Sequence, residues 1–107
     1  MTEPDDEHAQ VPEVVDNSEA SRFEYRAGGE LAELVYRRRA SRLVLVHTGV
    51  PDALGGRGVG GMLVRAALRK AAAEEMTVVP LCPFARGWLE RHPNEAAQVE
   101  VDWAAPS

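Results

Sequence analysis

The chain has 107 residues and a formal net charge of −5, a length that suits one domain. Its single cysteine, Cys82, excludes an internal disulfide and a cysteine-cluster metal site. No apolar run approaches membrane-spanning length and the acidic start lacks the chemistry of a signal peptide, so a cytoplasmic protein without membrane contact is expected. The charge is unevenly divided. Residues 1–21 hold seven acidic residues and no Lys or Arg, leaving 12 basic and 10 acidic residues in the remainder. That nearly neutral body offers no broad positive field for nucleic acid.

Residues 1–12 are polar and acidic and contain two prolines. They bury too little apolar surface to offset the entropy of ordering, so a disordered tail is expected there, with one domain over residues 13–107. Ser21–Ala27 alternates Phe23 and Tyr25 against Arg22, Glu24 and Arg26, which is strand periodicity with one buried face. Gly28-Gly29 signals a hairpin turn, and Leu31–Arg38 reads as the second strand. Arg37 to Ser41 is expected to turn, with the arginine triplet solvated or forming a small patch for a phosphate. Arg42–His47 is the third strand, and its run Leu43-Val44-Leu45-Val46 predicts cover on both faces.

A helical pattern starts at Val59. Leu63, Val64, Ala67, Leu68 and Ala71 fall on one face, and Met76-Thr77 marks the exit. Val78 to Pro83 is a short apolar strand with two prolines, which leave one edge partly unpaired. Phe84–Arg91 is a second, short helix with Phe84, Trp88 and Leu89 inward, stopped by His92-Pro93. Beyond it Val99, Val101 and Trp103 alternate, consistent with an edge strand that could pair between subunits of a monomeric or weakly dimeric protein. The order predicts an α+β fold: a mixed, mostly antiparallel sheet, a central helix after the glycines, and a parallel strand pair around that helix.

Between strand and helix stands Gly55-Gly56-Arg57-Gly58-Val59-Gly60-Gly61, five glycines in seven positions. Glycines let the backbone turn tightly and approach a ligand. The helix that follows presents unpaired N–H groups and the positive pole of its dipole, which suits a phosphate. Gly56 to Gly61 formally matches GxGxxG, a weak signal alone. A dinucleotide site also needs an acid at the end of the next strand, where this chain has Cys82 and Pro83. The Walker pattern fails, because no Gly-Lys-Ser/Thr follows. The glycines could also serve only a tight strand-to-helix connection.

Val46 to Leu68 resembles the acetyl-CoA-binding motif of the GNAT (GCN5-related) N-acetyltransferases, Gln/Arg-x-x-Gly-x-Gly/Ala, with Gly55 in place of the first residue. His47-Thr48-Gly49-Val50-Pro51, Val79 to Phe84 and Arg91-His92-Pro93 narrow the likeness to a small single-domain GNAT-like subfamily, in which Gly49 stands where Glu is usual. The resemblance implies binding of acetyl-CoA or coenzyme A. The loop Gly56, Arg57, Gly58, Val59, Gly60 and Gly61 would hold the pyrophosphate. The strand through Val46, Thr48 and Val50 would pair with the pantetheine arm, and an amine of unidentified structure would accept the acetyl group. The thioester would sit where strands 43–47 and 78–82 part.

Cys82 at that parting could accept an acetyl group as a thiolate, with His47 as the nearest partner by strand position, or line the pocket as a small hydrophobe. His47 could equally act as general base on the amine. The family often places a tyrosine in the helix after the fifth strand. Here Tyr25 and Tyr36 both come early. An acyl-CoA-binding module or interaction protein without transferase activity therefore stays open beside the acetyltransferase. No metal site is expected.

Overall fold

The computed structural model describes residues 13–104; the expected disordered tail at residues 1–12 lies outside them. In chain order the elements are β1 (Val15–Asn17), β2 (Arg22–Ala27), β3 (Glu30–Arg39), β4 (Arg42–Gly49), a 3-10 turn (Asp52–Leu54), α1 (Val59–Glu74), β5 (Thr77–Pro80), α2 (Pro83–Arg91) and α3 (Pro93–Ala96). The strands form one five-stranded sheet in sequence order. Pairing is antiparallel from β1 to β4, and β5 lies parallel to β4. This is the α+β architecture, with the parallel pair flanking α1.

Local chemistry accounts for the joints. Gly28 and Gly29 take φ of 58° and 80°, the left-handed pair that a two-residue hairpin needs. α1 buries Leu63, Val64, Ala67, Leu68 and Ala71, each 0–1 % exposed, and packs on β2 and β3. Its small alanines let the helix backbone come close to the sheet. The helix ends where Glu75 turns left-handed (φ 57°) and Met76 N–H donates to the Ala71 carbonyl at 2.8 Å. Phe23, Tyr25, Ala32, Leu34, Tyr36, Leu43 and Leu45 meet α1 from the sheet side as one core.

Several expectations are corrected. The arginine triplet does not turn: β3 runs through Arg39, which pairs with Arg42. The ladder bonds are backbone bonds, so solvated side chains do not end it. Arg38 pairs with Glu74 of α1 instead of forming a phosphate patch. β4 continues to Gly49, and only one of its faces is fully covered, because Val44 and Val46 are half-buried. Phe84 is 41 % exposed, not inward. His92-Pro93 does stop α2, which ends at Arg91 with His92 as its cap; what was not expected is that Pro93 then opens the short α3, a position where a missing N–H costs nothing. The C-terminal segment makes one parallel bridge, Val101 with Val78, in place of a strand. Pro80, four residues into β5, cannot extend that ladder.

A short first strand, β1, was not expected. Asp16 on it clamps two groups: Tyr36 Oη donates to Oδ1 at 2.6 Å and Lys70 Nζ to Oδ2 at 2.7 Å. Burial, and then this bond to Asp16, push the Tyr36 phenol well above its ordinary pKa.

On the outer face, Glu24 is buried to 6 % exposure. Its Oε2 accepts from Arg22 Nε at 2.6 Å and Asn17 Nδ2 at 3.0 Å. The Arg22 bond first, then the Asn17 bond, hold its carboxyl below the usual range. A depressed carboxylate stabilises the fold above its unfolded pKa, about 4.3, and that contribution is lost as pH falls through the lower native value. Glu24→Gln is therefore expected to lower the urea midpoint near neutral pH, and the two midpoints to converge on acidification through that window. An equal gap at neutral pH and at about pH 3 would contradict this role.

Candidate functional site

The site begins where two strands part. The β4–β5 register ends at Leu45 opposite Pro80. Leu81 and Cys82 then both donate their N–H to the Leu45 carbonyl, at 3.0 and 2.9 Å. Pro83 follows at the start of α2 and draws the chain away. From Val46 to Gly49, β4 keeps β3 on one side and has no strand on the other. The result is a wedge whose open side presents backbone groups of β4.

A β-bulge shapes this edge. Val35 pairs with His47 and Tyr36 with Leu45, leaving Val46 as the extra residue. The bulge shifts the pleat, so the inward set runs Leu43, Leu45, then Thr48. Thr48 Oγ1 consequently lies 3.1 Å from Cys82 Sγ, across the wedge. Cys82 is buried at 3 % exposure. His47, exposed, projects from the opposite face of β4. The expected His47–Cys82 pair is thus not formed: neighbours on a strand point to opposite sides, and the bulge brings Thr48 to the thiol.

The glycine loop forms the floor of a cavity of about 530 Å³. Gly56 and Gly58 are left-handed, with φ of 76° and 73°. Gly58 caps α1 with no side chain, and the first turn carries no acid. The first intrahelical bond is Met62 N–H to the Gly58 carbonyl, 3.1 Å. The amides of Val59, Gly60 and Gly61 therefore have no partner within the helix. Val50 is half-buried along the same cavity, Val59 is buried, and Arg57 is exposed on the loop.

The facing wall was not foreseen. Phe84 and Trp88 of α2 and His92 just past its end stand at four-residue intervals and, with Arg65 of α1, line the cavity. Trp88 and His92 stack at 3.8 Å, and the Arg65 guanidinium lies 5.1 Å from the Trp88 ring centre. His92 Nδ1 donates to the Trp88 carbonyl at 2.8 Å. A Cβ on Gly60 would stand 2.5 Å from the Phe84 ring, and one on Gly61 2.7 Å from Trp88 Nε1. These two glycines thus admit aromatic rings as well as a turn. The signal was present in the sequence: two small residues at a helix start, and rings spaced i, i+4, i+8 along the next helix and its cap.

Both tyrosines are buried, and Tyr36 is engaged by Asp16. Among the described residues there is no group of three metal-ligating side chains, and no helix is long and apolar enough to cross a membrane.

A family model described as GCN5-related N-acetyl-transferase matches residues 22–99. A solution NMR structure of a GCN5-like protein from Staphylococcus aureus, described as a candidate N-acetyltransferase, is similar. It shares 27 % identity and a TM-score of 0.65, over 86 % of this chain and 92 % of that one. No curated protein matches the chain.

The packing yields a contrast between glycines. Trp88 is held by the His92 stack, so Gly61→Ala is expected to cost about 1–3 kcal/mol by overpacking and to shift the emission of the buried tryptophan. Gly56 has open space around it but a left-handed φ, so Gly56→Ala is expected to cost about 1 kcal/mol without that shift. A Gly61→Ala chain with wild-type stability and emission would contradict the packing role.

Proposed function

The chain belongs to the GCN5-related N-acetyltransferase family, and from that premise we propose that it binds acetyl-CoA and transfers the acetyl group to an amine. The observation that carries the reading is the start of α1. Three amides, of Val59, Gly60 and Gly61, face a cavity with no side-chain cap and no acid in the first helical turn; Asp52, on the 3-10 turn, is the acid among the residues that line the cavity. Such a set of amide donors, at the positive end of a 16-residue helix, suits a pyrophosphate. The cavity volume lies within the range of cofactor pockets. On this reading residues 13–107 form one acetyl-CoA-binding unit.

Gly56 to Gly61 would hold the pyrophosphate, with Arg57 at the rim. The unpaired edge of β4, from Val46 through Thr48 to Val50, would bond the amides of the pantetheine arm as a missing strand would. Acetyl-CoA supplies an activated acyl thioester when bound. At the apex of the wedge the Thr48 hydroxyl and the Cys82 thiol line the place such a group would reach. Cys82, buried and in contact with Thr48, is suited to lining this apex. His47, on the open face, is suited to taking a proton from the amine.

A second reading, acyl-CoA binding without turnover, is favoured by one observation: neither tyrosine is available near α2, since Tyr36 is held by Asp16 and Tyr25 lies in the core. One assay separates the two. Release of the CoA thiol is followed with a panel of amines, and the intact protein is weighed after incubation with acetyl-CoA alone. Direct transfer is expected, with no acetyl adduct and with turnover retained in Cys82→Ser. His47→Gln is expected to lose about 10²-fold or more in turnover while still binding acetyl-CoA. An adduct abolished by Cys82→Ser would overturn direct transfer, and binding without amine-dependent thiol release would overturn transfer altogether.

A further inference from the structure

Arg65 is the arginine among the described residues that line the cavity over the glycine loop. A closed circuit of contacts fixes its guanidinium. Nε donates to Glu95 Oε2 of α3 at 2.9 Å, and the guanidinium carbon lies 5.1 Å from the centre of the Trp88 ring. Trp88 stacks on His92 at 3.8 Å. The His92 carbonyl accepts from the N–H groups of Glu95 and Ala96, at 3.1 and 3.0 Å, and so sets Glu95 where it meets Arg65. Among the described residues, Nη1 and Nη2 of Arg65 have no hydrogen-bond partner, and the side chain is 44 % exposed.

The place of this circuit decides what it can read. Gly60 lies against Phe84, next to the wedge, and Gly61 against Trp88. Arg65 stands beyond both, about 6 Å further along the axis of α1 than Gly61. In CoA the nucleotide continues past the pyrophosphate to a ribose that carries a further phosphate on its 3′ oxygen, one sugar away.

We propose that Arg65 binds this 3′-phosphate and thereby selects CoA thioesters over those of 3′-dephospho-CoA, with Glu95 as the residue that positions it. The role rests on the acetyl-CoA reading of the cavity; the fixed guanidinium rests on the contacts with Glu95 and Trp88. A guanidinium presents paired N–H groups that match two phosphate oxygens. One that is already held gives up little side-chain freedom when the ligand arrives. Glu95 lowers the positive charge of the site, so its contribution is orientation and not field. That separates positioning from simple attraction.

The test uses the full chain, titrated separately with CoA and with 3′-dephospho-CoA by calorimetry and followed at the amides of residues 59–61 by nitrogen-15 NMR. The wild-type chain is expected to bind CoA about tenfold or more tighter than the dephosphorylated probe. In Arg65→Gln the CoA affinity is expected to fall to that for 3′-dephospho-CoA, and Arg65→Lys, which keeps the charge without the fork, to recover part of the preference. Arg69→Gln removes the same charge one turn further along α1, outside the cavity, and is expected to keep it. Glu95→Gln makes the site more positive yet frees the guanidinium, so the preference is expected to drop; a rise would overturn the positioning role. Equal affinities of the wild-type chain for the two probes, a preference that survives Arg65→Gln, or an equal loss in Arg69→Gln would overturn the proposal. Equal affinities with clear shifts at residues 59–61 would leave the acetyl-CoA reading standing while this inference falls. Silence at those amides with both probes would sink the two together.

Discussion

The structure depends on the point where β5 stops pairing with β4. Parallel strands bond in a slanted, continuous series, and here the paired register ends at Leu45 opposite Pro80, beyond which Pro83 opens a helix and takes the chain away from β4. The two amides that follow, of Leu81 and Cys82, both turn onto the single Leu45 carbonyl. Everything that makes a site follows from that crowding. β4 is left with an open edge, Cys82 is brought under Thr48, and α2 starts at an angle that faces its rings to the glycine loop.

The glycine cluster answers two demands at once. Gly56 and Gly58 meet a backbone demand, since their left-handed φ is costly for other residues. Gly60 and Gly61 meet a packing demand, since Phe84 and Trp88 occupy the space a side chain would fill. Together they give a helix N-terminus that is bare of side chains, roofed by aromatic rings and open to a cavity. A helix N-terminus without a side-chain cap leaves amide donors with no partner in the helix.

The periodic parts of this layout were legible in the sequence. The buried face of α1 was readable residue by residue, as were the Gly28-Gly29 hairpin and the parallel strands flanking the helix, because spacing and turn chemistry are local. What escaped depends on partners distant in the chain. β1 is three residues long and stands through Asp16, whose partners Tyr36 and Lys70 lie far along the sequence. The bulge at Val46 reflects a register between β3 and β4, so the alternation through His47 misassigned which neighbour meets Cys82. Phe84 looked like core because helical spacing cannot say whether the facing helix begins with glycines deep enough to take a ring. The arginine triplet looked like a turn because charge predicts exposure, not the end of a ladder.

The central claim is that the open edge of β4 and the bare start of α1 form one acyl-CoA site. It is tested most directly by titrating the nitrogen-15-labelled chain with acetyl-CoA and following the backbone amides at residues 46–50 and 59–61 together. The account expects both stretches to shift along one saturable curve. Silence at millimolar acetyl-CoA, or shifts confined to exposed arginines such as Arg37 and Arg69, would contradict it.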